Sequence, residues 1–415
     1  MSTLDTTALV NGRSASGGPL SVVVADGLIQ STHADASPTV AARTVDLGGR
    51  LVVPAMAEPH AHLDKALTAE AVPNPTGDLM GAITAWTAAS AEGRITPESI
   101  TARAVDAMGR LVANGVTAVR THVNVGAGMG ASQVTAVRAA ADEMADLIDV
   151  QLVALVASPL TGPDGAENRA ALDAAIEAGV DLVGGCPHLD PDGAGLIDHA
   201  LTVAVDAGLP VDLHMDEMLD PDVLFLDTLA RAVLERGFQH GVTASHCVTL
   251  GMQPAAVQHE VAGRVAEAGV AVVTLPQTNL FLQGRDHPTA TPRGLTALDA
   301  LADAGALVAG GADNVQDPFN LVGRSDPLET AALLVMAGHR LPERAFEMVS
   351  GDARQVLGLT PVALTPGDPA DLVAIGAPSV RAAMADAPAD RMVFRAGRLV
   401  ASTRTEQTLH RSRTA

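Results

Sequence analysis

The stretch EPHAHLDK, residues 58–65, decides the fold that the sequence predicts. It closes the apolar run Leu51–His60, which reads as a β-strand. Residues two apart in a strand face the same side, so His60 and His62 both point to one face at the strand end. Two imidazoles on one face are a start on a Zn or Fe site. Two chance histidines at a strand end remain the competing interpretation at this point.

Seven further apolar runs follow, separated by longer Ala-rich amphipathic stretches such as Glu98–Ala113 and Ala131–Ile148. The runs are Val116–Asn124, Val150–Val156, Asp181–Gly184, Val211–Met215, Val242–His246, Val270–Leu275 and Leu307–Asp313. Eight βα units in about 300 residues predict an α/β fold of the (β/α)8 TIM-type barrel class. Strand count alone does not separate this barrel from a doubly wound open sheet, and the histidine pair favours the barrel.

Short β segments bracket the barrel at both ends of the chain. They are Ser21–Val24, Leu28–Gln30 and Thr44–Leu47 before it, and Leu372–Ile375, Met392–Arg395 and Arg398–Ala401 after it. Turn signals at Asp26-Gly27 and Ala396-Gly397 join neighbouring segments into hairpins. We therefore expect a small β-sandwich domain from residues 1–54 and 360–415, and a hydrolase barrel from residues 55–359.

Composition restricts the partners and the compartment. The net charge is −22, from 26 basic and 48 acidic residues, so nucleic acid and anionic membrane surfaces are not expected partners. The two cysteines, Cys186 and Cys247, fit a reducing cytoplasm. The N-terminal residues lack the basic start and apolar run of a signal peptide, and no apolar stretch is long enough to span a membrane.

Polar residues of catalytic type lie at the carboxyl ends of several predicted strands. His214 ends the fifth strand and Glu217 follows three residues later; His246 ends the sixth and Asp313 the eighth. Barrel enzymes place their chemistry at these strand ends. Each residue alone indicates little, because a single strand-end His or Asp usually packs or hydrogen-bonds. Their joint occurrence with His60 and His62 predicts a metal site with a nearby proton shuttle.

These motifs resemble the amidohydrolase superfamily, and more closely its cytosine deaminase branch, which is related to the N-isopropylammelide isopropylaminohydrolases. The resemblance covers nearly all of the chain. Besides residues 58–65, it rests on VRTHV at 119–123, PH at 187–188, HMDE at 214–217, TASH at 243–246, LQGR at 282–285, Asp313 with DPF at 317–319, and GDPADLV at 367–373.

The resemblance implies one divalent metal ion, Zn or Fe, held by His60, His62, His214 and Asp313. A bound metal lowers the pKa of its water to about 7. In the family mechanism, the residues matching His246 and Asp313 orient and deprotonate this water. The residue matching Glu217 protonates a ring nitrogen and then the departing amine. The implied activity is hydrolytic deamination of a nitrogen heterocycle, a cyclic amidine such as cytosine or a related pyrimidine or triazine.

The resemblance also suggests residues that contact the substrate. They are Gln283, Asn314, Phe319 and His122. For Gln283 a loop-stabilising amide is an equal alternative, and for His122 packing inside the barrel is the better one. Lys65 is expected to form a structural ion pair with a nearby acid.

Two departures from cytosine deaminase argue against cytosine itself as the substrate. The third strand ends in LVASP, residues 155–159, without the Gln that contacts the pyrimidine in that enzyme, and Asn314 stands where the family pattern has a second Asp. A site that lacks a matching amide holds cytosine less well. A modified pyrimidine, a triazine or another cyclic amidine is the expected substrate.

Three other functions stay open as alternatives. The first is removal of an alkylamine from an N-substituted ring, as in N-isopropylammelide hydrolases. The second is opening of a cyclic amide, but the bridging Lys typical of those relatives is absent from Asp181–His188. The third is a barrel that only binds ligand, which the intact set of metal and proton-transfer residues disfavours. Similar enzymes often assemble into homo-oligomers, so the resemblance also suggests one here.

Overall fold

The computed structural model describes residues 6–34 and 41–410. The chain divides into two compact units. The first comprises the described parts of Met1–Ala55 and Val362–Ala415 together with Val112–Gly115. The second comprises Met56–Leu111 and Val116–Pro361.

The first unit is built on one mixed sheet that contains strands from both ends of the chain. Its strands are β1 (Thr7–Arg13), β2 (Pro19–Ala25), β3 (Leu28–His33), β4 (Arg43–Asp46), β5 (Leu51–Pro54), β14 (Leu372–Ile375), β15 (Arg391–Arg395) and β16 (Arg398–Thr403). Hydrogen bonds link them in the order β16-β15-β14-β5-β1-β2-β3, and β4 pairs with β1. The predicted small β unit from both termini is thus confirmed. Its core includes Leu9, Val22, Leu372 and Phe394, all without exposed surface.

Both predicted hairpin turns are present in this sheet. Asp26 and Gly27 have φ of 52° and 75°, and Ala396 and Gly397 have φ of 48° and 74°. Two successive positive φ angles are characteristic of the type I′ turn, whose twist matches that of the flanking strands. Glycine takes the second of these positions without steric cost.

The second unit is an eight-stranded parallel barrel. Its strands are β6 (Met56–Ala61), β7 (Val116–Val125), β8 (Asp149–Val156), β9 (Leu182–Gly185), β10 (Val211–Met215), β11 (Val242–His246), β12 (Ala271–Thr274) and β13 (Val308–Gly310). Each strand pairs with its neighbour in sequence. The last strand meets the first where Ala61 bridges Asp313 in parallel and the Asp313 amide donates to the His60 carbonyl at 3.0 Å. The predicted barrel is confirmed, and an open sheet is ruled out.

Helices connect the strands and cover the barrel. They are α1 (Leu79–Ala91), α2 (Pro97–Ala113), α3 (Ser132–Glu143), α4 (Ala166–Glu177), α5 (Gly193–Ala207), α6 (Phe225–Arg236), α7 (Val248–Met252), α8 (Ala255–Glu267), α9 (Pro276–Leu282), α10 (Leu298–Asp303), α11 (Pro327–Met336), α12 (Pro342–Met348), α13 (Gly351–Val356) and, in the first unit, α14 (Val380–Asp386). None of the helices among residues 6–34 and 41–410 has the length and apolar composition needed to cross a membrane.

The expected strand Leu51–His60 is wrong as a single element. Leu51–Pro54 pairs antiparallel with β14 in the terminal sheet, whereas Met56–Ala61 pairs in parallel with β7 in the barrel. The change occurs at Ala55, whose amide donates to the Asp371 carbonyl at 3.0 Å. Leu51–Pro54 and Met56–Ala61 are both largely buried and mainly apolar, so the hydrophobic pattern does not show that they pair with strands of different sheets.

Three other expectations differ from the structure in detail. The strand Thr7–Arg13 was not predicted, because the Asn-Gly pair inside it resembles a turn; here it forms an irregularity with Asn11 at φ 57°. The single helix expected at Ala345–Leu357 is two helices, which are separated at Ser350, a residue with non-helical φ and ψ. The helix expected at Ala131–Ile148 ends at Glu143.

Candidate metal and active site

Four side chains that were expected to hold a metal converge at the carboxyl end of the barrel. His60 lies in β6, His62 directly follows it, His214 lies in β10, and Asp313 follows β13. The Nε2 atom of His214 is 3.2 Å from both His60 Nε2 and His62 Nε2. Asp313 Oδ1 is 3.5 Å from His60 Nε2 and 3.2 Å from His62 Nε2. Three nitrogens and one oxygen therefore surround a single point.

The spacing of these atoms suits a bound divalent ion. Ligands at about 2.0–2.2 Å in a tetrahedral site are roughly 3.4 Å apart, close to the separations found here. The Nδ1 atom of His62 lies 3.1 Å from the His122 carbonyl oxygen and 3.3 Å from Lys65 Nζ, so both neighbours contact the side of the ring that faces away from the converging Nε2 atoms. Burial lowers the pKa of His60 and His214 well below the usual range, so both rings stay neutral. Three imidazoles and a carboxylate are a donor set for Zn or Fe.

The carboxylate of this set is held in its ionised form. Burial alone would raise the pKa of Asp313. The hydrogen bond from His62 and the nearby His246 ring lower the pKa by more than burial raises it, so the net pKa lies below the usual range. Asp313 is 2% exposed. An ionised, water-excluded carboxylate can serve as a metal ligand or as a proton acceptor.

Glu217 and His246 lie beside these four side chains. The Nδ1 atom of His246 is 3.6 Å from Glu217 Oε1, and its Nε2 atom is 3.9 Å from Asp313 Oδ2. Burial raises the pKa of Glu217 well above the ordinary value, and the negative charge of Asp313 raises it further. Burial lowers the pKa of His246. A carboxyl group with a raised pKa beside an imidazole with a lowered pKa is an arrangement suited to proton transfer.

The backbone at the strand ends turns these side chains over the barrel mouth. His246, Asp313 and Asp216 have φ of 68°, 66° and 50°, in the left-handed region. For residues other than glycine such conformations cost about 1–3 kcal/mol each, and they cluster at functional sites. Two of the candidate site residues, His246 and Asp313, are thus held in a left-handed backbone conformation.

Asp216 fixes the loop that carries Glu217. Its two carboxylate oxygens accept from the amides of Phe225 and Leu226, at 3.0 and 2.9 Å, and so anchor the start of α6. Burial raises the pKa of Asp216 to about 6, although both amide bonds oppose the rise. At neutral pH the Asp216 carboxylate is therefore ionised, and keeping this charge buried reduces the free energy of unfolding.

We expect the stability of the parent, relative to Asp216→Asn, to increase as pH falls. The pKa of Asp216 is higher in the folded protein than in the unfolded chain. Its contribution to the free energy of unfolding is therefore most favourable below the unfolded pKa, and this contribution is lost as pH rises through about 6. Between about pH 7.5 and 4.5 the relative free energy of unfolding should rise by about 2 kcal/mol. Denaturant unfolding of both proteins at the two pH values measures this, and a constant difference would contradict it.

The four expected substrate neighbours have different surroundings. Gln283 donates through Nε2 to the carbonyl of Glu217 at 3.0 Å, so it borders the acid directly. Asn314 donates to Asp317 Oδ2 at 2.8 Å, and Phe319 donates through its amide to Asp317 Oδ1 at 2.8 Å. These two residues thus belong to one turn after β13. The half-buried Phe319 side chain keeps part of its surface free.

His122 lies inside the barrel. Its ring stacks on that of His60, with centroids 3.9 Å apart, and has no exposed surface. Its Nε2 atom is 3.7 Å from Asp212 Oδ1, and neither ring nitrogen has a hydrogen-bond partner among the described residues. In this arrangement His122 supports His60 from below.

The structure adds residues to the site that the sequence did not indicate. Asn279, in α9, places Oδ1 3.0 Å from His246 Nδ1 and is fully buried. It is 33 residues from His246, and no local motif links the two positions.

Lys65 forms the expected ion pair, with Asp64 at 3.1 Å, and also donates to Asn124 Oδ1 at 2.8 Å. This pair ties the loop after β6 to β7.

Comparison with known proteins places the chain in a family. The profile of the Amidohydrolase family, Amidohydro_3, matches residues 91–401. The chain belongs to the amidohydrolase family. This amidohydrolase is 32% identical over 385 residues to a pterin deaminase of Rhizobium rhizogenes, covering 91% of this chain and 87% of that protein.

Solved structures of similar proteins share the whole fold of this amidohydrolase. The crystal structure of 5-methylcytosine deaminase from Klebsiella pneumoniae, liganded with 5-fluorocytosine, superposes with a TM-score of 0.86 at 30% identity. The match covers 97% of this chain and 99% of that one. N-isopropylammelide isopropylaminohydrolase from Burkholderia multivorans superposes with a TM-score of 0.81 at 28% identity, covering 96% and 98%.

Proposed function

We propose that this protein is a metal-dependent aminohydrolase that removes an amine from a small nitrogen heterocycle. One observation carries the proposal: a carboxyl group with a strongly raised pKa, Glu217, lies 3.6 Å from His246 and beside a buried set of three histidines and one aspartate. Groups with pKa values pushed apart by their surroundings are characteristic of acid–base pairs in active sites. Membership in a hydrolase family supports the same conclusion.

In the proposed site, His60, His62, His214 and Asp313 hold one divalent ion, Zn or Fe. Such an ion, when bound, supplies an acidified water as the nucleophile. Burial lowers the pKa of His60 and His214, and the neighbouring histidines lower the pKa of Asp313, so these three groups favour the forms that bind a metal.

Proton transfer in the proposed reaction is the work of three residues. Glu217, whose pKa is raised by burial, gives its proton to a ring nitrogen and makes the amine-bearing carbon electrophilic. His246 and Asp313 take up a proton as water adds to that carbon. Glu217, now ionised, takes the proton of the added hydroxyl group and passes it to the amine, the carbon–nitrogen bond breaks, and ammonia leaves while the ring keeps a carbonyl oxygen. The proton held by His246 and Asp313 then returns to Glu217, which restores the starting state. Each positioned proton transfer is typically worth about 10²–10⁴ in rate.

The proposed substrate is an amino-substituted pyrimidine-type ring. The relatives act on pterin and 5-methylcytosine, according to their names, and both compounds carry an amine on such a ring. Gln283, Asn314, Phe319 and His122 are the proposed substrate neighbours. The strand-three end, Ala157-Ser158-Pro159, presents no side-chain amide to a pyrimidine. Cytosine, which such an amide would hold, is accordingly expected to be a poor substrate.

Release of an alkylamine is the second candidate function. The similarity to N-isopropylammelide isopropylaminohydrolase from Burkholderia multivorans favours it, and the same proton transfers from Glu217 would expel isopropylamine in place of ammonia. The two functions differ only in the leaving group. The product amine therefore distinguishes them.

The test is product analysis with the metal-loaded protein. Zn- or Fe-loaded protein is incubated separately with pterin, 5-methylcytosine, cytosine and N-isopropylammelide, and ammonia and isopropylamine are quantified. We expect ammonia from pterin or 5-methylcytosine and none after chelation of the metal. Isopropylamine alone would replace the first function with the second. No amine from any compound, with metal bound, would contradict both.

A further inference from the structure

A buried chain of hydrogen bonds starts at the side of His60 that faces away from the proposed metal. His60 Nδ1 lies 2.8 Å from Ser245 Oγ, and Ser245 Oγ donates to Asp212 Oδ1 at 3.1 Å. Because the serine hydroxyl donates its one proton to the Asp212 carboxyl oxygen, it has no proton left for the contact with His60. The serine oxygen then accepts from His60, which places the ring proton on Nδ1 and leaves the lone pair on Nε2.

Arg120 holds Asp212 in place from below. Its Nη1 atom donates to Asp212 Oδ2 at 2.8 Å and to Thr243 Oγ1 at 3.0 Å. The rest of the guanidinium is also fixed, by bonds to Gln151 Oε1 at 3.0 Å and to the Val356 carbonyl at 2.9 Å. A positive charge with this many partners has little freedom to move.

The register of the barrel strands sets this arrangement. Asp212 pairs with Thr243, and His214 pairs with Ser245, between β10 and β11. Residues two apart in a strand share a face, so Asp212 and His214 both project into the barrel, as do Thr243 and Ser245. The Arg120–Asp212 pair thus lies one layer beneath the proposed metal ligands.

Packing alone does not account for a charged pair at this depth. Asp212 has no exposed surface, and Arg120 is 4% exposed. Burying two charges costs free energy that their attraction rarely exceeds, and well-packed apolar residues of similar volume are often as stable or more so. The interior of a barrel is ordinarily filled with branched apolar side chains. Because this hydrogen-bonded chain ends on a proposed metal ligand, a role in holding that ligand explains the buried charges better than packing does.

We propose that Ser245 and Asp212 are positioning residues that fix the tautomer and the orientation of His60 for metal binding, with Arg120 securing the charge of Asp212. The inference rests on the proposed function, because it takes His60 to be a ligand. Hydrogen-bonded partners of this kind orient a ligating imidazole and raise its basicity, and their loss typically weakens metal affinity about 10–100-fold. Neither side chain touches the substrate; both act through His60.

The test is metal affinity, measured by competition with a chromophoric chelator for Zn²⁺, together with the visible absorption of the Co²⁺-loaded protein. Ser245→Ala should bind Zn²⁺ about 10–100-fold more weakly and change the Co²⁺ spectrum. Ser245→Thr keeps the hydroxyl and should stay within about threefold of the parent. Thr274→Val is the matched control, because Thr274 Oγ1 is a buried barrel hydroxyl with no hydrogen-bond partner in the described part of the chain.

The outcomes separate this inference from the proposed function. Equal affinity and equal spectra for Ser245→Ala and the parent would overturn the inference alone. Failure of the unsubstituted protein to bind Zn²⁺ or Co²⁺ would overturn the proposed function and the inference together. Should Ser245→Ala not fold, Asp212→Asn keeps the side-chain shape and removes the charge; at least about fivefold weaker binding is expected, and unchanged binding would refute the role of Asp212.

Discussion

Replacing Glu217 with glutamine is expected to reduce ammonia release by at least about 10²–10⁴-fold while metal remains bound. The amide has nearly the same shape as the carboxyl group but does not exchange a proton with the ring or with the departing amine. Burial and the charge of Asp313 raise the pKa of Glu217, so the parent starts in the proton-donating form. The measurement is the rate of ammonia formation from the best substrate of the parent.

The control for this variant is Glu235→Gln, which changes an exposed carboxylate of α6 and should leave the rate unchanged. Metal content should equal that of the parent in both variants, since Glu217 is not among the four proposed ligands. A Glu217→Gln protein that keeps more than about a tenth of the parent rate would show that another group moves the proton.

Replacing Asp313 with asparagine is expected to remove both metal and activity. The substitution deletes the only carboxylate of the proposed ligand set, whose Oδ1 atom lies 3.2 Å from His62 Nε2. It also removes a proton acceptor 3.9 Å from His246. The Zn²⁺ affinity should fall by more than the roughly 10–100-fold typical of residues that only support a ligand. Metal analysis after dialysis and the same ammonia assay test both effects.

The pattern across variants separates the two roles. Glu217→Gln should be inactive with metal bound, whereas Asp313→Asn should be inactive with metal lost. Asp303→Asn, an exposed aspartate of α10, serves as the matched control. Full metal occupancy with loss of activity in Asp313→Asn would leave Asp313 as a proton acceptor and remove it from the ligand set.

Most of the barrel could be predicted from the chain because its strands are short, apolar and regularly spaced. Val211–Met215 and Val242–His246 have the same bounds in the prediction and in the structure. The converging residues followed from one rule, that chemistry lies at the carboxyl ends of barrel strands. His60, His214, His246 and Asp313 come together because each lies at, or within three residues of, the carboxyl end of a barrel strand.

The sequence by itself determined the order of the elements, the family resemblance and the residue types at the strand ends, since these depend on local periodicity and short motifs. Only the tertiary structure decided that Leu51–Pro54 joins the terminal sheet and not the barrel. These residues would be buried and apolar in either sheet, so the hydrophobic pattern does not distinguish the two. The tertiary structure alone also decided the contact of Asn279 with His246 and the chain from Arg120 through Asp212 to His60. These contacts join positions far apart in sequence, and strand register and barrel closure, not local pattern, bring them within hydrogen-bonding distance.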